Sequence, residues 1–271
     1  MPTLDTGEVT IHYRSRGNGW PLVFLHGGWL DGDLWRPQLE HFADDFRVVT
    51  VDCRGHGESG DGDEYGIDVL ADDLEALLDG LGLANPVVVG LSMGGLVAQQ
   101  FAADHPDRVA GLVLASTVTS VPPIPMTDLQ KHLLVPKPGY HAAVRTMGPR
   151  AYFRMLLNWV ESLEGRWLAE TPEAREYALD AVGGFGADGF LQVLDALYEF
   201  EAPDLPEVPA AVVHGDGEAG PVVRHCDALA DRLDAPRTVV PDAAHLANRD
   251  NPAAFNGALA EFLDEQVTVS V

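Results

Sequence analysis

The chain has 271 residues with 46% hydrophobic content, enough for one well-packed core plus an insertion. Its formal net charge is −25, from 42 Asp and Glu against 17 Lys and Arg, so no basic face is present for nucleic acid. The start, MPTLDTGEVTIHYRS, lacks the basic-then-apolar pattern of a signal peptide, and no apolar stretch nears the roughly 20 residues of a membrane helix, so the expectation is a cytoplasmic protein without a membrane partner.

In chain order, residues 9–13 read as a first strand and 22–25 as a second, both short apolar runs. The second hands over to His26-Gly27-Gly28. A glycine-rich turn at a strand end can aim a backbone N–H into a cleft, which makes the Gly28 amide a candidate oxyanion donor. His26 is a conceivable base, but a histidine at a buried strand end is more often tied to backbone. Residues 47–51 form the next strand, followed by Arg54-Gly-His56-Gly, where His56 shapes a turn. Ile67, Leu70, Leu74, Leu77, Leu78 and Leu81 recur at helical spacing within 63–81. Gly80, Gly82 and Asn85-Pro86 stop that helix.

The strand at 87–89 runs into Gly90-Leu91-Ser92-Met93-Gly94, a G-x-S-x-G directly before a helical stretch at 95–103. The motif demands this context. Its serine sits on a sharp strand-to-helix turn, so the positions two before and two after must be nearly devoid of side chain. The helix N-terminus favours developing negative charge, and the Met93 amide pairs with that of Gly28 as oxyanion donors. Ser92 is the candidate nucleophile.

After a strand at 109–114 the alternation breaks. Residues 121–206 carry no strand-like run, open on Val121-Pro-Pro-Ile-Pro125, and close on Pro203, Pro206 and Pro209. Helical segments are expected at 142–160, 172–182 and 190–200. The stretch reads as a helical cap inserted in an α/β core made of 1–120 and 207–271. Trp159, Trp167, Phe185, Phe190 and Tyr198 are candidates to line a pocket or to pack cap on core. Strands at 210–213 and 238–240 complete a mainly parallel, doubly wound sheet. The last is followed by Pro241-Asp-Ala-Ala-His245. A loop at the C-terminal end of a strand is where such sheets place functional groups, so His245 is the candidate base. His105 and His225 read as solvated helix residues. Cys53 and Cys226 have neither metal-ligand nor disulfide spacing and read as buried free thiols.

Five segments, residues 25–29, 51–59 (VDCRGHGES), 89–95 (VGLSMGG), 105–114 (HPDRVAGLVL) and 242–255 (DAAHLANRDNPAAF), together resemble the α/β-hydrolase family. The resemblance spans nearly all of the chain except the insertion. Around His245 it is similar to 3-oxoadipate enol-lactonases and related small carboxylesterases. It implies nucleophile Ser92, base His245, an oxyanion hole at Gly28 and Met93, and a helical cap. Family members place an Asp three residues after a Gly at the end of the penultimate strand. Here Glu218 holds that spacing from Gly215 and Asp216 is the other nearby carboxylate, so either is a candidate acid.

The expected activity is hydrolysis of a small carboxylic ester or lactone through an acyl-enzyme, without metal or organic cofactor. Carbon–carbon bond hydrolases and cofactor-free perhydrolases use the same triad and remain alternatives, as does a ligand-binding protein on a hydrolase scaffold. Aspartate-nucleophile relatives are disfavoured because position 92 is serine. Oligomeric state is not legible.

Acidic residues punctuate every segment, Asp44, Asp45, Asp61, Asp72, Asp73 and Asp231 among them, whereas Lys131 and Lys137 are the only lysines. Such a surface repels itself in dilute buffer and becomes tolerable when salt shortens the Debye length to about 3 Å near 1 M. The composition resembles that of proteins from extreme halophiles that accumulate salt in the cytosol, with an ordinary acidic protein as the alternative.

Overall fold

The computed structural model describes residues 2–124, 126, 130 and 135–267; of the residues named above, Pro125 and Lys131 lie outside these. Strands β1 (Thr3–Asp5), β2 (Thr10–Arg16), β3 (Pro21–Leu25), β4 (Arg47–Val51), β5 (Val87–Leu91), β6 (Gly111–Ala115), β7 (Ala210–Gly215) and β8 (Arg237–Val240) form one sheet. Their spatial order is β1-β2-β4-β3-β5-β6-β7-β8. The β1–β2 and β2–β4 pairs are antiparallel and every later pair is parallel. Strands β3, β5, β6 and β7 are buried along their whole length, which is why they read as continuous apolar runs. Strand β1 escaped the sequence reading and β2 extends beyond its expected end. Both sit at the antiparallel edge, where the half-buried Arg14 and the exposed Arg16 weaken the apolar signal.

Helices α1 (Arg36–Phe42), α2 (Ile67–Leu81) and α3 (Met93–Asp104) precede β6. Between β6 and β7 come α4 (Lys137–Met147), α5 (Pro149–Glu164), α6 (Pro172–Gly183) and α7 (Ala187–Glu199), and then α8 (Gly220–Leu233), the single turn α9 (Ala247–Asp250) and α10 (Pro252–Gln266). The sheet divides the apolar interior in two. Val23, Leu25, Val88 and Leu112 pack with α2, α3 and α8 on one face, while their neighbours Leu22, Phe24, Val87 and Val113 pack with α1 and α10 on the other. This alternation is the pleat of doubly wound strands.

The helical segment expected at 142–160 is two helices, because Gly148 adopts φ 83° and Pro149, lacking an N–H, can only begin a helix. The ends of the α4–α7 segment meet: Ser120 and Glu201 form an antiparallel bridge, and the Ala202 amide donates to Thr119 O at 2.9 Å. Asp73, counted above with the acidic surface, is buried, its carboxylate gripped by Arg54 Nε and Nη2 at 2.7 Å each. Cys53 and Cys226 are free and buried. Among the described residues no helix is long and apolar enough to cross a membrane.

Candidate active site

Ser92 occupies the single residue between β5 and α3, with φ 53° and ψ −115°. A side chain at positive φ is strained and persists only where its surroundings over-determine it. Here they do. A Cβ on Gly90 would fall 2.2 Å from Gly94 O, and one on Gly94 would fall 2.2 Å from Leu25 O, so the turn closes only with glycine at both positions. The Ser92 amide donates to Ala115 O at 2.9 Å, and its carbonyl accepts from Thr117 Oγ1 at 2.8 Å.

His245 follows β8 and lies in a loop tied to the helical segment. Its amide donates to Trp167 O at 2.9 Å, and the next amide, Leu246, donates to Leu168 O at 3.2 Å. Imidazole Nδ1 lies 2.8 Å from Glu218 Oε2. The other carboxylate oxygen, Oε1, accepts the Trp167 indole N–H at 2.6 Å and the Ala219 amide at 2.9 Å. Burial pushes the Glu218 carboxyl up, but the charge and hydrogen bond of His245 with the Ala219 amide outweigh it and hold the group below its ordinary range. Of the two candidate acids, Glu218 is the one brought to His245. Asp216 turns outward and accepts the Asp242 and Ala243 amides at 3.1 Å each, bracing the base of the same loop.

A third carboxylate, Asp250, was not singled out from the sequence. It accepts the Ala244 amide at 3.0 Å, the Glu170 amide at 2.8 Å and the Thr171 amide at 2.8 Å, so one side chain binds the His245 loop to the α5–α6 connection. Two of its backbone partners, the Glu170 and Thr171 amides, lie about 80 residues away, and no spacing rule announces them.

The turn after β3 places Gly28 beside the serine. A Cβ on Gly27 would stand 3.5 Å from Ser92 Cβ, and one on Gly28 would stand 3.8 Å from Met93 Sδ. The neighbouring Trp29 amide is taken by His56 Nε2 at 3.1 Å, and Trp29 itself sits at φ 61°. No acceptor among the described residues takes the Gly28 amide. The Met93 amide is an orphan donor of the first turn of α3.

His26 and His56 both play backbone-holding roles, as their positions suggested. His26 Nε2 accepts the Cys53 amide at 3.0 Å and Nδ1 faces Gly27 O at 2.8 Å; His56 Nδ1 faces Arg54 O at 3.0 Å. Each Nε2 accepts, so each ring is neutral with its proton on Nδ1. Burial lowers the pKa of His26, and burial, added to by the proximity of His26, drives that of His56 down to about 3. His225 departs from the solvated reading: it is half-buried on α8, and its Nδ1 accepts the Thr119 amide at 3.2 Å.

Ser92, His245 and Gly28 line one cavity of about 70 Å³, roofed by residues of α5, α6 and α7. Of the bulky candidates, Trp167 lines it and Phe185 lines an adjoining cleft. Phe190 is buried against Trp29, Tyr198 packs on Tyr140, and Trp159 is 65% exposed, facing neither. Among the described residues no three His, Cys, Asp or Glu side chains converge as metal ligands.

A family model described as alpha/beta hydrolase fold matches residues 21–252. The chain is 32% identical over 271 residues to a pimeloyl-(acyl-carrier protein) methyl ester esterase of Chromobacterium violaceum, covering 95% of this chain and 100% of that one. It is 27% identical over 263 residues to 3-oxoadipate enol-lactonase 2 of Acinetobacter baylyi, covering 95% and 94%. Among solved structures, a thermophilic esterase from Thermogutta terrifontis, described as malate bound, superposes with a TM-score of 0.80 at 29% identity, covering 97% of this chain and 96% of that one.

Proposed function

Because the chain belongs to the alpha/beta hydrolase fold family, we propose that it is a serine hydrolase cleaving a small carboxylic ester or lactone through an acyl-enzyme. Ser92 is the nucleophile, His245 the base, Glu218 the acid, and the amides of Gly28 and Met93 the oxyanion hole. Residues 121–206 act as the cap over a core of 1–120 and 207–271. The relatives named for esterase and lactonase activity support the reaction class.

With Glu218 on Nδ1, the His245 proton stays there and Nε2 is left free to take the Ser92 proton. As Oγ attacks the carbonyl carbon, charge moves onto the carbonyl oxygen, where two fixed N–H groups receive it. His245 then passes its proton to the departing alkoxide, leaving an acyl group on Ser92. Water, deprotonated by the same nitrogen, attacks the acyl-enzyme and returns the serine. Glu218 need only hold the tautomer and favour the imidazolium that forms, which a glutamate does as well as an aspartate. The excess of 42 acidic residues over 17 basic ones supports a place in a salt-rich cytosol, where screening would ease their repulsion.

The observation that carries the reading is the 2.8 Å bond from a buried carboxylate to the histidine that shares a cavity with a serine at φ 53°. The test is hydrolysis of p-nitrophenyl acetate and butyrate in molar KCl by the wild type and Ser92→Ala, with labelling by a fluorophosphonate. Turnover and labelling that vanish in the variant are expected. A folded wild type that is neither labelled nor active would instead favour a binding protein on this scaffold.

A further inference from the structure

The cavity at Ser92 is walled by Phe153, Leu168, Ala178, Val182, Leu197 and Leu246. At about 70 Å³ it is small beside the roughly 300–1,000 Å³ of pockets that take drug-sized ligands. Among the described residues no Lys or Arg lines it. The two indole N–H groups in its wall are already committed, that of Trp167 to Glu218 at 2.6 Å and that of Trp29 to Phe190 O at 3.2 Å.

Trp29 and Leu30 also line a second, larger cleft of about 400 Å³, where they meet Asp31, Asp61 and the turn at residues 184–186. Trp29 is a fixed partition between the two spaces. Its amide is held by His56, its indole N–H by the Phe190 carbonyl, and its ring stacks on that of Phe190 at 4.6 Å. On the serine side the partition is apolar and short. On the other side the approach carries two carboxylates.

Resting on the hydrolase reading above, we infer that the site accepts esters and lactones whose acyl part is short and uncharged, and rejects acyl parts that carry a second carboxylate. An anionic acyl terminus would exchange its hydration for a wall of side-chain carbons with no partner, a loss that good shape cannot repay. Lactones of dicarboxylic acids, which keep one free carboxylate, fall in the rejected class.

Methyl butyrate and monomethyl succinate isolate the effect, since a carboxylate replaces the terminal methyl group and little else changes. Hydrolysis is followed by pH-stat in 1 M KCl, where a Debye length of about 3 Å removes the general repulsion of a −25 chain and leaves local desolvation. The expected kcat/KM ratio is about 100-fold or more in favour of butyrate, with methyl octanoate also turned over more slowly than butyrate. Butyrate left uncleaved, butyrate and succinate within about threefold of each other, or octanoate at par with butyrate overturns the selectivity. Turnover of p-nitrophenyl butyrate that survives Ser92→Ala fells the hydrolase reading and this inference with it. Turnover lost in that variant, but blind to the acyl carboxylate, sinks the inference alone.

Discussion

Trp167, on the connection between α5 and α6, donates its indole N–H to Glu218 Oε1 at 2.6 Å while its ring lies 4.9 Å from the His245 imidazole. One residue of the helical segment therefore touches both members of the buried pair, and its carbonyl also holds the His245 amide. A hydrogen bond to a charged group is worth about 1.5–3 kcal/mol. Trp167→Phe keeps the aromatic wall and removes the donor, so kcat is expected to fall about tenfold or more. The acid limb of kcat/KM should move to higher pH, because the carboxylate has lost a donor that favours its charged form. An unchanged pH profile would reduce Trp167 to packing.

Glu218→Gln tests the tautomer argument. Oε1 already accepts two N–H groups, from Trp167 and Ala219. The amide oxygen of glutamine must stay on that side, which turns its NH₂ toward His245 Nδ1. The imidazole then has to accept at Nδ1 and carry its proton on Nε2, the nitrogen that should be empty. The expected loss in kcat is about 10⁴-fold, the scale found when the wrong tautomer is imposed on a triad. Asp216→Asn, whose side-chain oxygen still accepts the Asp242 and Ala243 amides, should stay within about threefold of wild type. Equal losses in the two variants would contradict the assignment of the acid.

The serine and the histidine were legible because each is fixed by local geometry. Ser92 needs small neighbours at 90 and 94, and glycine there is visible in the sequence; His245 follows a strand end. The acid was legible only as a pair of candidates. Asp216 and Glu218 are two residues apart, and which one faces His245 depends on how the loop after β7 crosses the loop after β8, a tertiary fact. Trp167 appeared in the sequence as one bulky residue among five, because nothing local marks an indole that will meet a carboxylate 51 residues later. Asp250 left no signal, since what ties it to the site are the Glu170 and Thr171 amides of the α5–α6 connection.

His26 and His56 predict how the protein responds to acid. Both are buried and neutral, with pKa lowered from 6.5 by burial, that of His56 to about 3. The unfolded chain binds their protons below about pH 6.5 while the native state does not, so stability rises with pH across that window. Their contribution is complete above pH 6.5 and is lost as pH falls toward 3. Each histidine costs at most about 1.4 kcal/mol per pH unit. Urea midpoints in 1 M KCl should therefore begin to drop below pH 6.5, well before ordinary carboxylates titrate. A midpoint constant from pH 7.5 to 5.5 would mean that these rings take up protons in place.

Salt pulls on this molecule in two directions. Screening weakens the surface ion pairs, such as Arg108 with Asp79 at 2.6 Å and Arg150 with Asp180 at 2.9 Å. It also weakens the repulsion among the 42 acidic residues, of which 17 Lys and Arg can neutralise fewer than half. Exposed pairs contribute about 0–1 kcal/mol each, whereas the uncompensated excess acts over the whole surface, so relief of repulsion should win. Raising KCl from 0.1 to 2 M is expected to lift Tm by about 10 °C or more, corresponding to a few kcal/mol for a domain of this size. KCl is the right salt because sulfate would strengthen apolar burial in any protein. A Tm that is flat or falling in KCl would show that the ion pairs dominate and that the acidic surface is not an adaptation to salt.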